Sequence, residues 1–126
     1  MNVIDSSGWL EYFANAENAD FFAPSIRDEE RLLVPSICLY EVFKRLHQQQ
    51  GKQAALEGIG RLYRGSIVAM NDEIALQAAQ LSIEYRLPMA GSIFLATARL
   101  RKAMFWTQDE HFKDIEGVKY IEKKYK

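Results

Sequence analysis

Hydrophobic positions follow two different periods along this chain. Short apolar runs rich in β-branched or aromatic residues alternate with longer stretches in which apolar residues return every three or four positions. The short runs are typical of buried strands and the longer stretches of amphipathic helices. The predicted strands are residues 2–5, 32–34, 66–70, 103–107 and 118–121. The predicted helices lie around 9–13, around 21–26, and at 36–50, 52–64, 72–85 and 91–102, with a short turn or helix at 111–112.

Polar and glycine residues mark where several of these elements begin and end. Ser36 is the predicted cap of the 36–50 helix, which Gly51 ends, and Asn71 or Asp72 caps the helix that follows the third strand. Gly58 and Gly60 weaken the helix predicted between these two. Pro88 interrupts the chain before the last long helix.

Strands that alternate with helices predict an α/β fold. The expected architecture is a central, mainly parallel sheet of about five strands, with right-handed crossovers and helices on both faces. The fractions of hydrophobic residues (48%) and charged residues (26%) are those of a globular protein. Without a repeat or an obvious linker, the 126 residues predict a single domain spanning 1–126.

Charge and cysteine content exclude several classes of protein. The 16 Lys and Arg residues against 17 Asp and Glu residues exclude a protein that holds nucleic acid through its bulk positive charge, but not a nuclease whose metal ions neutralise phosphates locally. One cysteine, Cys38, and two histidines cannot build an internal disulfide or a Cys/His metal cluster. No signal peptide and no apolar run of membrane-spanning length is found, so a cytoplasmic location is expected.

Three acidic residues fall where an α/β sheet places its ligands. Asp5 ends the first strand, Asp109 follows the fourth, and Glu41 lies in the second turn of the helix that leaves the second strand. Ligands of open α/β sheets bind at the carboxyl ends of the strands, so the three side chains are expected to converge. Hard oxygen ligands suit Mg²⁺ or Mn²⁺ and the hydrolysis of a phosphodiester by metal-activated water. Ser6 and Thr107 flank the same edge and can assist by holding a water or a phosphate through their hydroxyls.

Each of these residues also has a purely structural interpretation. Asp5 and Asp109 follow strands, where an Asp commonly caps the next helix, and Glu41 alone would be a solvated helix residue. His111, beside Phe112, is expected to be a partly buried structural residue. The three acids are informative because all of them fall on one edge.

Several segments together resemble the PIN-domain ribonucleases, and among them the VapC toxins of bacterial type II toxin–antitoxin pairs. The segments are Val3-Ile4-Asp5-Ser6-Ser7, Pro35-Ser36-Ile37-Cys38-Leu39-Tyr40-Glu41, Ala90-Gly91-Ser92-Ile93-Phe94-Leu95-Ala96-Thr97-Ala98, Phe105-Trp106-Thr107-Gln108-Asp109-Glu110-His111-Phe112 and Ile115-Glu116-Gly117-Val118. The resemblance runs nearly end to end and implies a PIN-like three-layer sandwich.

The same resemblance implies four acids around Mg²⁺ or Mn²⁺, of which Asp5, Glu41 and Asp109 match three. The fourth is normally an Asp at the position of Gly91, where it would cap the helix and complete the metal site. Gly91 is either natural, in a degenerate member that binds a partner without cutting RNA, or an inactivating change in a toxin that would otherwise poison its host. We favour the second, because the rest of the pattern is intact. Nothing in the sequence favours Glu110 or Asp114 as a substitute.

The family resemblance also implies what the chain does and what it binds. It implies an attenuated or inactive endoribonuclease toxin that acts on structured RNA such as tRNA or rRNA. The implied partners are a second copy of the chain and a VapB-like antitoxin. The C-terminal segment of the antitoxin would cover the acidic groove, and DNA would be bound only through the antitoxin. The alternative is a non-catalytic module that binds antitoxin or RNA as a regulatory subunit. A phosphorylated receiver domain fits less well, because it needs an acidic pair where Asp5 is followed by Ser6 and Ser7.

Overall fold

Five parallel strands form the centre of the computed structural model, which describes residues 1–124. Residues 125 and 126 of the predicted domain lie outside the described part. The strands are β1 (Asn2–Ile4), β2 (Leu32–Pro35), β3 (Ser66–Val68), β4 (Met104–Thr107) and β5 (Val118–Tyr120). They are arranged in the order β3-β2-β1-β4-β5, and every neighbouring pair is parallel. The predicted parallel α/β sheet is therefore confirmed.

Six helices connect these strands in the predicted order. They are α1 (Ser6–Phe13), α2 (Ala19–Arg27), α3 (Ser36–Gln50), α4 (Lys52–Leu62), α5 (Asp72–Tyr85) and α6 (Met89–Leu100), with short 3₁₀ turns at Glu29–Arg31 and Glu110–Phe112. No helix within residues 1–124 is both long enough and apolar enough to cross a membrane.

The direction of the chain across the sheet sets the two helical layers. It moves outward from β1 to β2 and β3, then returns through α5 and α6 to β4 on the other side of β1. Because parallel crossovers are right-handed, α1–α4 cover one face and α5 and α6 the other. Consecutive residues of β4 contact opposite layers: Trp106 packs against Phe21 of α2, and Phe105 stacks on Phe94 of α6. The molecule is the expected three-layer sandwich.

The cap of α3 and the start of α6 differ from the predictions. Pro35, not Ser36, occupies the cap position of α3, and Ser36 is the first helical residue without a side-chain capping bond. Helix α6 begins at Met89 after Pro88, two residues earlier than predicted, so Gly91 is its third residue and not its cap. In both helices a proline occupies the cap position, which places the cap of α3 one residue before Ser36 and the start of α6 two residues before Gly91. Asn71 caps α5 as predicted, accepting a hydrogen bond from the Ile74 N–H at 2.9 Å.

Gly58 has a packing role that the sequence did not show. A methyl group at this buried position would collide with Cδ1 of Leu46 on α3. The low helix propensity of glycine is therefore offset by the close approach that it allows between α3 and α4.

Candidate active site

Asp5 lies at the carboxyl end of β1, and its side chain is held by two hydroxyls. The backbone N–H of Asp5 donates to the carbonyl of Trp106, which fixes its position beside β4. Its carboxylate accepts hydrogen bonds from Thr107 Oγ1 at 2.7 Å and from Ser7 Oγ at 3.2 Å. Although Asp5 occupies the cap position of α1, its side chain makes no capping bond. The capping interpretation therefore fails for Asp5.

Glu41 is brought to the same edge by α3. Ser6 Oγ, at the start of α1, donates to Glu41 Oε1 at 2.7 Å, and the Glu41 side chain is half-buried. The interpretation of Glu41 as a solvated helix residue is therefore wrong. The hydroxyls of Ser6 and Thr107 both hold carboxylates, which is the assisting role that remains for them.

Asp109 follows β4, and its side chain caps the next 3₁₀ turn while it faces the same edge of the sheet. Its Oδ1 accepts the backbone N–H of His111 at 3.0 Å, and its own N–H donates to Thr107 Oγ1 at 3.0 Å. The capping interpretation is thus correct for Asp109. His111 Nδ1 lies 2.6 Å from the same Oδ1, and the His111 side chain is 56% exposed. The expectation of a partly buried His111 is wrong, because Phe112 takes the buried position in this turn.

The three carboxylates line one cavity of about 530 Å³. Its other lining residues come from the start of α1, the segment after β4, and the end of β5 with the residues that follow it; they are Ser6, Ser7, Gln108, Glu110, His111, Tyr120, Glu122 and Lys123. Glu110 is at this cavity, whereas Asp114 is not among its lining residues. The structure therefore brings together Asp5, Glu41 and Asp109 as the sequence predicted.

The electrostatic environment of Asp5 is unfavourable for its charged form. Burial, with smaller contributions from the negative charges of Glu41 and Asp109, raises the pKa of Asp5 from 3.8 to about 6, although the hydrogen bonds from Thr107 and Ser7 oppose the shift. The charged form of Asp5 is therefore disfavoured first by burial and second by the two neighbouring carboxylates. A cation placed among them would relieve the repulsion.

These residues match a hard divalent cation in chemistry, although they do not surround it. Within residues 1–124, no three His, Cys, Asp or Glu side chains lie close enough together to enclose a metal ion. Mg²⁺, however, commonly keeps several waters and takes only one or two protein carboxylates together with substrate phosphates. One or two of the carboxylates of Asp5, Glu41 and Asp109, together with water and phosphate oxygens, fit that mode of binding.

Gly91 lies at a position with no free space for a side chain. An added Cβ would lie 2.5 Å from Cζ and 2.9 Å from Cε2 of Phe112. The Phe112 ring is fully buried and makes an edge contact with Phe105 at 5.0 Å. A carboxylate at position 91 therefore requires the Phe112 ring to move.

A buried amide network supports the segment that carries Thr107 and Asp109. Asn18 Nδ2 donates to Gln108 Oε1 at 2.9 Å and to the carbonyl of Glu122 at 3.1 Å. Gln108 Nε2 and the Asn18 N–H both reach the carboxylate of Glu11. Sequence reasoning missed these residues. The one available signal was the position of Gln108 between Thr107 and Asp109.

A second hollow of about 480 Å³ lies between α3 and α4. It is lined mainly by aromatic and aliphatic side chains: Leu39, Tyr40, Phe43, Lys44, His47, Gln48, Ile59 and Tyr63. Helix α3 thus directs Glu41 to the acidic cavity and Tyr40 and Phe43 to this hollow.

Comparison with known proteins agrees with this geometry. A family model described as PIN domain matches residues 3–118. Among solved structures, a toxin–antitoxin complex from Klebsiella pneumoniae is 22% identical, with a TM-score of 0.79 over 94% of this chain and 95% of that chain. VapBC2 from Rickettsia felis bound to a promoter DNA fragment is 12% identical, with a TM-score of 0.73 over 96% and 97%.

A third solved structure is the sarcin–ricin loop cleaving toxin VapC20 from Mycobacterium tuberculosis. It is 13% identical, with a TM-score of 0.68 over 82% of this chain and 85% of that chain. No curated protein sequence matches the chain significantly.

Proposed function

The chain belongs to the PIN domain family, and on that premise we propose that it is the toxin of a type II toxin–antitoxin pair. Its proposed activity is that of a Mg²⁺- or Mn²⁺-dependent endoribonuclease, attenuated by Gly91. The observation that supports this most is the convergence of Asp5, Glu41 and Asp109 on one cavity, with the pKa of Asp5 raised to about 6.

Each proposed ligand is oriented by a neighbouring donor. Thr107 and Ser7 hold Asp5, Ser6 turns Glu41 toward the cavity, and the N–H of His111 fixes Asp109. When bound, the ion would activate a water molecule and offset the charge that develops on the phosphate oxygens. The protein residues would hold the carboxylates in place without rearrangement, which is how a preorganised site lowers a barrier.

Structured RNA, either tRNA or rRNA, is the proposed substrate class. VapC20, which is similar in fold, cleaves the sarcin–ricin loop according to its description. The proposed antitoxin is VapB-like, and its C-terminal segment would cover the acidic cavity with an Arg among the carboxylates. Contact with DNA would pass through that antitoxin, and the pair would act in the cytoplasm.

A second candidate function is a non-catalytic PIN module that binds antitoxin or RNA. Two observations favour it: no three ligating side chains within residues 1–124 are close enough to enclose a metal, and the Phe112 ring leaves no free space for a side chain at position 91. Tight antitoxin binding without Mn²⁺ uptake at millimolar concentration would support it.

The experiment that separates the two functions compares Gly91→Asp with Gly91→Asn. Both substitutions displace Phe112, but only the Asp variant adds a carboxylate. We expect Gly91→Asp to bind Mn²⁺ about 10- to 100-fold more tightly than Gly91→Asn, in line with the loss typical of an incomplete metal site, and to cleave RNA. Isothermal titration and a cleavage assay on total tRNA and rRNA measure this. If Gly91→Asp folds but neither cleaves RNA nor slows growth when expressed alone, the nuclease proposal is wrong.

A further inference from the structure

The α3–α4 hollow, which is the second hollow described above, combines half-buried apolar side chains with exposed aromatic rings. Leu39, Phe43 and Ile59 are half-buried, whereas Tyr40 is 63% exposed and Tyr63 is 60% exposed. Its volume of about 480 Å³ lies in the range of small-molecule sites. Because the two tyrosines are largely open to solvent, a ligand can reach their rings.

The polar groups of the α3–α4 hollow favour an anion. Lys44 and His47 are exposed, and none of the residues within 1–124 that line the hollow is acidic. Lys44 Nζ lies 5.5 Å from the centroid of the Tyr40 ring and 3.4 Å from Tyr40 Oη. A cation is therefore held beside an exposed aromatic ring, in a chain whose formal net charge is -1. This pair suits a ligand that joins a flat apolar group to a negative charge.

Helix α3 places the hollow next to the acidic cavity. Tyr40 and Glu41 are consecutive residues in the second turn of α3, and each lines a different cavity. Consecutive side chains on a helix diverge by about 100°, so the two cavities open on neighbouring faces of the same turn. Lys44, four residues after Tyr40, stays on the side of the hollow. A chain-like ligand with one group at Glu41 can therefore place the next group in the hollow.

We propose that the α3–α4 hollow binds an unpaired nucleobase of RNA, which stacks on Tyr40 while its neighbouring phosphate contacts Lys44. Aromatic side chains bind single-stranded RNA by stacking on its bases, and nearby cations bind its backbone. A base inside a helical stem is already stacked on its neighbours, so the hollow selects a loop, a bulge or an unpaired end. The inference rests on the proposed action on RNA and adds the part of the RNA that is recognised.

An apolar peptide segment is the competing occupant of the hollow. It would pack against Leu39, Phe43 and Ile59, but it would match Lys44 only if it also carried an acidic side chain in the right place. Every nucleotide carries its own phosphate beside its base. RNA therefore uses both the apolar and the positive groups of the hollow.

Equilibrium binding of a single-stranded RNA oligonucleotide containing the fluorescent base 2-aminopurine tests the proposal, with the full chain and Mg²⁺. Stacking on an aromatic ring quenches this base, so the signal reports the contact itself. We expect Tyr40→Ala to weaken binding about 5- to 100-fold and to remove the quenching. Tyr40→Phe keeps the ring and should bind within about 3-fold of the unsubstituted chain.

Tyr85→Ala is the matched control for Tyr40→Ala. Tyr85 also has a cation beside its ring, because Arg99 Cζ lies 5.6 Å from the ring centroid, but it belongs to the helical layer on the opposite face of the sheet. Tyr85→Ala should leave both binding and quenching unchanged. Circular dichroism confirms that each variant is folded.

Lys44→Gln provides the second arm of the test through the salt dependence of binding. For single-stranded nucleic acid, each phosphate neutralised by a cation adds about 0.7 to the slope of log Kd against log salt concentration. We expect Lys44→Gln to lower this slope by about 0.7 and Tyr40→Ala to leave it unchanged. A slope that is the same in Lys44→Gln would overturn the assigned phosphate contact.

Four other results would overturn the proposal: no binding of the oligonucleotide at millimolar concentration, binding insensitive to Tyr40→Ala, an equal loss in Tyr85→Ala, or equally tight binding of a fully double-stranded RNA. If Tyr40→Ala leaves RNA binding unchanged but weakens capture of a co-expressed VapB-like antitoxin, the hollow is a peptide site. The nuclease proposal fails separately. If Gly91→Asp does not cleave RNA while Tyr40→Ala loses the stacked base, the base site stands without the nuclease activity.

Discussion

Two adjacent regions at the carboxyl edge of the sheet differ in composition: one gathers carboxylates and the other packs an aromatic ring. In the acidic region, Asp5, Glu41 and Asp109 face one cavity and are oriented by hydroxyl and backbone donors. In the aromatic region, Gly91 at the start of α6 is covered by the buried ring of Phe112. The first region collects like charges at a cost in folding free energy, whereas the second buries an aromatic ring against Gly91 and Phe105.

The difference indicates where the molecule gives up stability and where it gains it. Residues placed for binding commonly oppose folding, and their replacement stabilises the protein while function is lost. Residues placed for packing favour folding, and their replacement destabilises the protein. Substitutions in the acidic region should therefore raise the free energy of unfolding, and substitutions in the aromatic region should lower it.

The largest effect is expected from Phe112→Ala in the aromatic region. This change removes a fully buried ring that contacts Phe105 and covers Gly91, and we expect it to lower the free energy of unfolding by about 3–5 kcal/mol. Urea denaturation followed by circular dichroism measures the loss. Tyr63→Ala, at a residue that is 60% exposed, is the control and should change stability by less than about 0.5 kcal/mol. Similar losses in both variants would contradict the packing role of Phe112.

Asp5→Asn, in the acidic region, is expected to stabilise the metal-free protein. The folded state raises the pKa of Asp5 from 3.8 to about 6, so it binds the proton more tightly than the unfolded chain does. Ionisation of Asp5 therefore removes stability as the pH rises from about 4 through 6, and the removed stability stays lost above that range. We expect Asp5→Asn to raise the free energy of unfolding at pH 8 by about 1–2 kcal/mol. This is less than the full pKa shift would give, because the carboxylate is only half-buried.

The pH dependence provides the control for this second prediction. At pH 4 and below, Asp5 is largely protonated and the advantage of Asp5→Asn should disappear. Added Mn²⁺ at pH 8 should stabilise the unsubstituted chain, because the ion offsets the negative charge of Asp5, and should leave Asp5→Asn unchanged, because that variant lacks the charge. If Asp5→Asn were less stable than the unsubstituted chain at pH 8 without metal, the proposed cost of burying an ionised Asp5 beside two other carboxylates would be contradicted.

Much of the fold was predictable because its signals are local. The period of the apolar residues identified the order of strands and helices, and the rule that ligands bind at the carboxyl ends of strands brought Asp5, Glu41 and Asp109 to one edge. The cap of α3 and the start of α6 were less predictable, because Ser36 and Gly91 resemble helix-starting residues, whereas Pro35 and Pro88 occupy the two cap positions.

The finer contacts of the site depend on residues far apart in sequence. Asn18 and Gln108 are separated by 90 positions, and no local pattern indicates their hydrogen bond. The capping preference of Asp predicted equal roles for Asp5 and Asp109, yet Thr107 draws the Asp5 side chain away from its helix. His111 was expected to be partly buried beside Phe112, but the 3₁₀ turn points the two side chains to opposite environments.

The smallest expected effect concerns His111, which connects the two regions through the turn it shares with Phe112. His111 Nδ1 lies 2.6 Å from Asp109 Oδ1, so an ion at that oxygen must displace the contact. An exposed pair of this kind contributes about 0.2–1 kcal/mol, and its removal should therefore tighten Mn²⁺ binding by up to about 5-fold in His111→Ala. Isothermal titration measures this, with Asp109→Asn as the comparison that should weaken binding. Weaker binding in His111→Ala would instead make His111 a ligand and extend the acidic region to include it.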